Sequence, residues 1–345
     1  MATRIVRPVA VSVVAVSVLA LIASRSQAAN MPVLLESFPS PGAASQLQYS
    51  PQQGLLFLRN SGSAIRVVNT HTRAEVDLHL ANQQFTDMDL TPDGQYLYAA
   101  DWGRVAIGYG TLVGPHAVHR YDLAARQWES KSSSVDTFRL EAVGPDRVVL
   151  LESDQWVDVN LEKWGAGPAM THLARAATDY YGDIEYDPAT GRLYHGNSGS
   201  SSREIHVLRL NGDSFSSAGG SGIYGTAQIG GGSSVLSLDG QRFYYGPLQV
   251  EALDVTNNIR TFPQPIYAAT GDLAVGNSSV FDARTGAVLG NLGYTTTVFT
   301  FDASGSELWA YANNTLYHYA VPEPSALVPL AGAGALLLRT RRRRA

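Results

Sequence analysis

The feature that most constrains the fold is a short segment that recurs along the chain at intervals of about 40 residues. Its three fullest copies span residues 47–57, 88–98 and 184–194, and each joins an apolar strand to an aromatic strand through a turn with Pro and Gly. Weaker copies lie around Pro145, Asp239 and Asp302. Proline presets φ in such a turn and glycine accepts a positive φ, so each copy predicts a β-hairpin.

Further strand-like segments follow most of these hairpins. Third strands that end in Asp or Asn are predicted at residues 65–69, 118–122, 250–254 and 279–282, and an outer strand at 287–290. Four short strands per repeat are typical of a propeller blade. The sequence therefore predicts an all-β fold, a β-propeller of about seven blades over residues 29–320, with helices nearly absent. The sixth copy, residues 271–294, lacks the turn. Residues 212–232 are expected to form a surface loop with a weak outer strand. The alternative fold is a large β-sandwich.

The last repeat is one strand short. It supplies predicted strands at residues 297–301, 308–312 and 315–320. The apolar segment 32–38 near the start of the chain has no partner in its own neighbourhood. We predict that it closes the last blade as its outer strand, which removes an exposed sheet edge.

The full-length copies resemble the YVTN/WD40-like propeller family, which carries a turn of the Ser-Pro-Asp-Gly type before an aromatic strand. No copy has the Trp-Asp dipeptide at the end of its third strand. The resemblance is therefore to the superfamily and not to WD40 proteins proper. It implies the propeller fold, and fold analogy alone is a weak guide to function.

The N-terminus has the three parts of a secretory signal. Arg4 and Arg7 precede an apolar run, residues 9–22, and small residues follow at 26–28. This order predicts a signal peptide over residues 1–28, cleaved between Ala28 and Ala29. The alternative is an uncleaved anchor, but the run is short for a span of about 20 residues.

The C-terminus, residues 321–345, also has three parts. A short motif precedes an apolar run, residues 326–338, and a basic end. The motif comprises Val321, Pro322, Glu323, Pro324 and Ser325, and the basic end comprises Arg339, Arg341, Arg342, Arg343 and Arg344. This order resembles the PEP-CTERM sorting signal of Gram-negative bacteria, in which the apolar run is a transmembrane helix. The resemblance implies recognition by the membrane transpeptidase exosortase and a place in the cell envelope, on the surface or in the extracellular matrix. The alternative is an ordinary anchor, although 13 residues rise only about 20 Å as a helix.

Charge and cysteine content exclude several classes of function. The two basic ends, residues 1–28 and 339–345, lack acids, so the body between them, residues 29–338, holds 17 of the 25 basic residues and all 30 acidic ones. A body with a formal charge of −13 should not bind nucleic acid or anionic lipid through bulk charge. We expect membrane contact only through the C-terminal tail before processing. The absence of cysteine excludes disulfides, zinc–thiolate sites and cysteine nucleophiles.

Acidic residues recur at the start of two predicted inner strands. Asp87 and Asp89 precede Pro92 by five and three residues, and Asp183 and Glu185 precede the next full turn by the same spacing. Residues two apart on a strand share a face, and inner strands line the central channel of a propeller. The four acids are therefore candidate ligands for Ca²⁺, which takes six to eight hard oxygens. The alternative is a set of solvated polar residues in a wet channel.

Catalytic signatures are mostly missing. No serine lies in a G-x-S-x-G motif, and neither lysine belongs to a P-loop. His116 and His119 have an H-x-x-H spacing, but on a strand this does not direct both rings to one metal. The sequence favours a non-catalytic binding module that is processed by signal peptidase and exosortase, with exopolysaccharide or a surface protein as its ligand. A propeller lactonase or hydrolase with a metal in the channel, and a structural adhesin, stay open.

Overall fold

A computed structural model describes residues 31–102, 104–107, 110–113, 115–153, 158–177, 182–197, 204–221 and 233–322. Thirty strands and no helix lie within these ranges. Accordingly, the described chain contains no helix long and apolar enough to cross a membrane. The predicted signal peptide with its cleavage site, and the sorting segment beyond Pro322, lie outside the described residues.

Twenty-eight of the strands form seven antiparallel four-stranded sheets, which are the blades. Strands are given from the channel outward. Blade 1 contains β2 (Gln46–Ser50), β3 (Leu55–Arg59), β4 (Ala64–Asn69) and β5 (Ala74–Leu80). Blade 2 contains β6 (Phe85–Leu90), β7 (Tyr96–Asp101), β10 (His116–Asp122) and β11 (Gln127–Ser133). Blade 3 contains β12 (Arg139–Gly144), β13 (Arg147–Leu151), β14 (Asp158–Lys163) and β15 (Thr171–Ala177).

The remaining blades repeat this order. Blade 4 contains β16 (Gly182–Asp187), β17 (Arg192–Asn197), β18 (Ile205–Asn211) and β19 (Ser214–Ser221). Blade 5 contains β20 (Ser234–Leu236), β21 (Arg242–Tyr245), β22 (Leu248–Glu251) and β23 (Asn258–Thr261). Blade 6 contains β24 (Ile266–Ala269), β25 (Leu273–Gly276), β26 (Ser279–Asp282) and β27 (Val288–Asn291). Blade 7 contains β28 (Val298–Phe301), β29 (Glu307–Ala312), β30 (Thr315–Ala320) and β1 (Val33–Pro39).

The seven sheets form a closed ring. Each inner strand contacts the inner strand of the next blade, and β28 contacts β2. A buried apolar cluster fills each junction between neighbouring blades; the one between blades 7 and 1 surrounds Trp309. The predicted propeller is confirmed with seven blades, including the one without the turn motif, and the arrangement is not that of two stacked sheets.

The N-terminal strand closes the ring as predicted. β1 pairs antiparallel with β30, so that Phe38 lies opposite Leu316 and Val33 opposite Ala320. Phe38 is buried and contacts the edge of Trp309, with ring centroids 6.1 Å apart. The first strand of the body therefore belongs to the last blade.

The turn chemistry follows the sequence motif. Gly94 and Gly191 both have φ near +68°, a conformation that glycine adopts without steric cost. In the turn of blade 2, Asp93 Oδ1 accepts hydrogen bonds from Thr91 Oγ1 and Gln95 N. These contacts fix the inner hairpin, whose turns all lie on one face of the ring, here called the turn face.

Two local features differ from or refine the expectation. A separate hairpin, β8 (Arg104–Ile107) with β9 (Gly110–Val113), is inserted between the second and third strands of blade 2, and the repeat pattern did not indicate it. In residues 212–232, the expected weak outer strand is β19, which pairs with β18. Residues 222–232 lie outside the described part of the chain.

Candidate functional site

The inner strands surround a central cavity of ≈ 490 Å³. All four predicted acids line it: Asp87 and Asp89 from β6, and Asp183 and Glu185 from β16. Blade 3 lies between these two strands, and its β12 contributes two further cavity residues, Arg139 and Glu141. The candidate site is therefore a polar wall formed by three successive blades, with Gln46, Gln48 and Arg59 of blade 1 beside it.

Asp87 and Asp89 use both carboxylate oxygens as hydrogen-bond acceptors. Asp87 Oδ2 accepts the backbone N–H of Leu140 on the next blade at 3.0 Å, and Oδ1 accepts Gln46 Nε2 and Met88 N at 2.7 and 2.9 Å. Asp89 Oδ2 accepts Ala142 N at 2.9 Å. Its Oδ1 accepts its neighbour's N–H and the side-chain amide of Gln48.

The acids of blades 3 and 4 make the same type of contact with the following blade. Glu141 Oε2 accepts Tyr186 N at 3.2 Å. Asp183 Oδ2 accepts Ser234 N at 3.2 Å, and Glu185 Oε2 accepts Leu236 N at 3.3 Å. Five carboxylates thus each bond to a backbone N–H on the inner strand of the next blade.

These bonds have a clear structural reason. The inner strand of each blade is a sheet edge, so the N–H groups on its channel side have no partner within its own sheet. A buried N–H without an acceptor costs free energy comparable to a lost hydrogen bond. The carboxylates supply the missing acceptors, and we call these contacts the inter-blade staples. In blade 1, Gln46 Oε1 plays the same part by accepting Met88 N at 3.1 Å.

Arginines compensate part of the negative charge. Arg59 is 9% exposed and donates from Nε to Gln46 Oε1 at 2.8 Å and from Nη1 to Phe85 O at 3.0 Å. Burial, reinforced by Arg139, lowers its pKa to about 10 despite nearby Asp87. Arg139 Nε lies 3.5 Å from Asp183 Oδ1.

The cavity disfavours ionisation of several carboxyls. Burial raises the pKa of Asp89 to about 7, with a smaller contribution from the charge of Asp87. Burial also raises the pKa of Asp183 to about 6, although Arg139 opposes the shift. Burial and neighbouring acids hold the pKa values of Glu141 and Glu185 well above their usual range. At neutral pH the wall therefore carries less charge than its acids suggest.

The calcium hypothesis stays a prediction, and the geometry offers it limited support. In the described chain, no three His, Cys, Asp or Glu side chains are arranged to hold a metal ion. Asp87 and Asp89 already face N–H donors with both oxygens, and a donor and a cation compete for the same lone pairs. The carboxylate oxygens without a hydrogen-bond donor among the described residues include Oε1 of Glu141 and Oε1 of Glu185, which is few for an ion that takes six to eight oxygens.

The opposite wall of the cavity is mostly apolar. Blades 5, 6 and 7 present Leu236, Tyr267, Val298 and Phe299 where blades 2 to 4 present acids and Arg139. No sequence pattern indicated this asymmetry, because the turn motif is weak or missing in these blades. The channel is therefore polar on one side and apolar on the other.

A second polar cluster lies at the outer edge of blades 1 and 2. Buried His119 approaches Asp101 Oδ2 through Nε2 at 3.2 Å, and its Nδ1 lies 2.7 Å from Ser130 Oγ and 2.8 Å from His79 Nε2. His79 stacks on Trp128 with ring centroids 4.1 Å apart. Asp101 also accepts three successive N–H groups of the loop before β6.

This cluster has the residue types of a serine-hydrolase triad, but its surroundings indicate a structural role. None of its members lines the central cavity. His79 and Ser130 approach the same nitrogen of His119, and His79 reaches it from the neighbouring blade. We assign the cluster to holding blades 1 and 2 together.

Comparisons with known proteins support the fold. No protein-family model matches the chain, and no curated protein matches it. The solved β-propeller domain of Cps50 (Swd1) from Myceliophteria thermophila is similar, with a TM-score of 0.59 at 12% identity, covering 84% of this chain and 100% of that one. Identity this low shows the fold alone. Because 1414 solved chains match, the fold is too widespread to indicate one function. The chain is a seven-bladed β-propeller.

Proposed function

We propose that the chain is an exported protein of the cell surface or extracellular matrix whose propeller is a non-catalytic binding module. In this proposal, signal peptidase removes residues 1–28 and exosortase processes the tail at residues 321–325. The protein then belongs to the envelope or matrix of a Gram-negative-type bacterium, and the membrane holds it only through the tail before processing.

The observation that carries the proposal is the position of the two targeting segments relative to the blades. The strands begin at Val33 and end at Ala320, and these two residues pair with each other. Cleavage after Ala28 and within the motif would therefore remove no strand. Both segments also leave from the same blade, so processing at either end would not open the ring.

The arrangement of the cavity supports the proposal that the propeller is not catalytic. Asp87 and Asp89 use all four of their oxygens for hydrogen bonds that join blades or fix their own strand. An acid with such a role is a poor general base, because each of its oxygens already accepts a hydrogen bond from a backbone N–H. The ligand in this proposal is an exopolysaccharide or a surface protein.

Export is tested by fractionating cells that produce two deletion variants. We expect the chain without residues 1–28 to stay in the cytoplasm. We expect the chain without residues 321–345 to be exported but not held at the envelope. Export of the first variant would contradict the signal peptide, and unchanged envelope retention of the second would contradict the sorting tail.

The purified body, residues 29–322, is assayed separately for ligand binding and for catalysis. We expect retention on exopolysaccharide of the producing strain, or on isolated envelope protein, and no turnover of lactones with or without calcium. Lactone turnover that depends on calcium and is lost in Asp183→Asn would support the hydrolase alternative. Self-association in the absence of any ligand would favour the structural adhesin.

A further inference from the structure

The two ends of the described chain meet at one corner of blade 7. Val33 is paired with Ala320, and the following residue, Val321, donates its N–H to Ser306 O at 2.7 Å. Ser306 lies in the inner-hairpin turn of blade 7, so this corner is on the turn face. The chain therefore enters and leaves the propeller at the same place.

The same corner exposes apolar side chains. Val33, Leu34 and Leu35 are 57, 51 and 57% exposed. In a regular strand, successive side chains alternate between faces, but the register of β1 is irregular between Leu34 and Glu36, where Leu35 has no paired residue.

The sequence places an apolar run very close to this corner. Residues 326–338 are almost entirely apolar and begin four residues after Pro322. Four residues span at most about 14 Å even when fully extended. The headgroup region on each side of a bilayer is roughly 5–8 Å thick. If the run lies in a bilayer, the tether is too short to hold the blade 7 corner far from the headgroups.

We propose that the corner formed by Val33, Leu34 and Leu35, here called the apolar corner, rests on the bilayer surface while the tail is still attached. The inference rests on the proposed function, since the tail must first be membrane-inserted. The turn face then lies toward the membrane. The inner strands begin at the opposite face, so the mouth beside Asp87 and Asp183 points away from the membrane.

The absence of cysteine allows a single-site test with an environment-sensitive fluorophore. Leu34→Cys carries the label at the apolar corner, and Val33→Cys is a second variant there. Leu80→Cys is the matched control, because Leu80 is 61% exposed on the outer strand of blade 1. It pairs with Ala64, at the end of its blade away from the turn face. Each labelled chain, from Ala29 to Ala345, is incorporated into vesicles of phosphatidylethanolamine and phosphatidylglycerol.

We expect the labels at positions 33 and 34 to emit at shorter wavelength and to be quenched severalfold less by aqueous iodide than the label at position 80. In chains that end at Pro322, all three labels should be equally accessible. Equal accessibility in chains that float with the vesicles would overturn the inference and leave the proposed function standing. Chains that do not float would overturn both. Protection at position 34 without vesicles would show that the tail itself covers the corner, which also contradicts the inference.

Discussion

Asp87→Asn tests whether the channel acids act as inter-blade staples. The carboxylate accepts three hydrogen bonds, from Leu140 N, Met88 N and Gln46 Nε2, and the side chain is 8% exposed. An amide has one acceptor oxygen and one donor group, so either orientation of Asn turns an NH₂ toward an N–H donor. In the orientation that keeps Leu140 N bonded, the NH₂ group faces Met88 N and Gln46 Nε2, so two hydrogen bonds are lost, although Met88 N still bonds to Gln46 Oε1 and Gln46 Nε2 still bonds to Met88 O.

The expected cost follows from the two lost hydrogen bonds. Each contributes a net of about 0.5–1.5 kcal/mol, so we expect a loss of about 2 kcal/mol for this substitution. For a body of this size, that corresponds to a decrease in Tm of roughly 4 °C. The assay is urea and thermal unfolding of residues 29–322, in calcium and in EDTA. Glu251→Gln is the control, because Glu251 is exposed on β22 and its side chain accepts no hydrogen bond among the described residues.

The two conditions separate a staple from a metal ligand. The staple account predicts the same loss in calcium and in EDTA, and no effect of calcium on the unsubstituted protein. Unchanged stability of Asp87→Asn would refute the reasoning. A loss that appears only in calcium would instead support the Ca²⁺ hypothesis for Asp87, Asp89, Asp183 and Glu185.

Three further predictions use the same unfolding assay. Glu141→Gln keeps an acceptor for Tyr186 N but removes a charge that burial disfavours. Because burial raises the pKa of Glu141, its ionisation destabilises the folded protein, so the variant should be more stable than the parent at pH 8 and equal to it near pH 4. A less stable variant at pH 8 would contradict this. Burial lowers the pKa of His79 from 6.5 to about 4, so the unfolded chain takes up this proton first. The contribution of His79 to stability is therefore fully present above pH 6.5 and decreases as the pH falls from 6.5 to 4. The variant His79→Gln should not show this decrease. Phe38→Ala should cost about 3–5 kcal/mol, because Phe38 is buried against Trp309 at the closure of blade 7; a cost below 1 kcal/mol would mean that β1 is dispensable.

The ring and its closure could be predicted because they depend on local chemistry that repeats. Each inner hairpin combines an apolar strand, a turn with a left-handed glycine and an aromatic strand, and these signals lie within about 11 residues of one another. The last blade lacked one strand, and the apolar segment before the first blade lacked a partner. Together these two observations predicted that the segment closes the last blade. Blade 6 lacks the turn motif, yet burial of Val275 and Phe281 against its neighbours forms the same sheet.

The polar wall could be predicted only in part. Counting back from the turn proline located the acids of blades 2 and 4, whose hairpins have equal turns. In blade 3 the turn is tighter, since Gly144 pairs with Arg147 after a register shift. Counting back from Pro145 by the same spacing therefore reaches Leu140 and Ala142 instead of Arg139 and Glu141, and the sequence pattern did not identify Glu141.

The role of the acids could not be predicted from the sequence of any single repeat. Their partners are N–H groups of the next blade, about 50 residues further along the chain, as with Asp87 and Leu140. A sequence repeat shows which strands pair within a blade, but not which edge groups face a side chain from another blade. The His79–His119 contact between blades 1 and 2 was missed for the same reason.

The most direct test of the account is the intact mass of the native protein, recovered separately from the envelope and the medium. The account predicts a chain that begins at Ala29 and ends within or directly after Val321–Ser325, with all thirty described strands retained. A mass that still includes residues 1–28 would contradict cleavage of the signal. A mass that retains Arg341–Arg344 would contradict processing of the tail, which would then be a plain anchor, while the propeller itself would be unaffected.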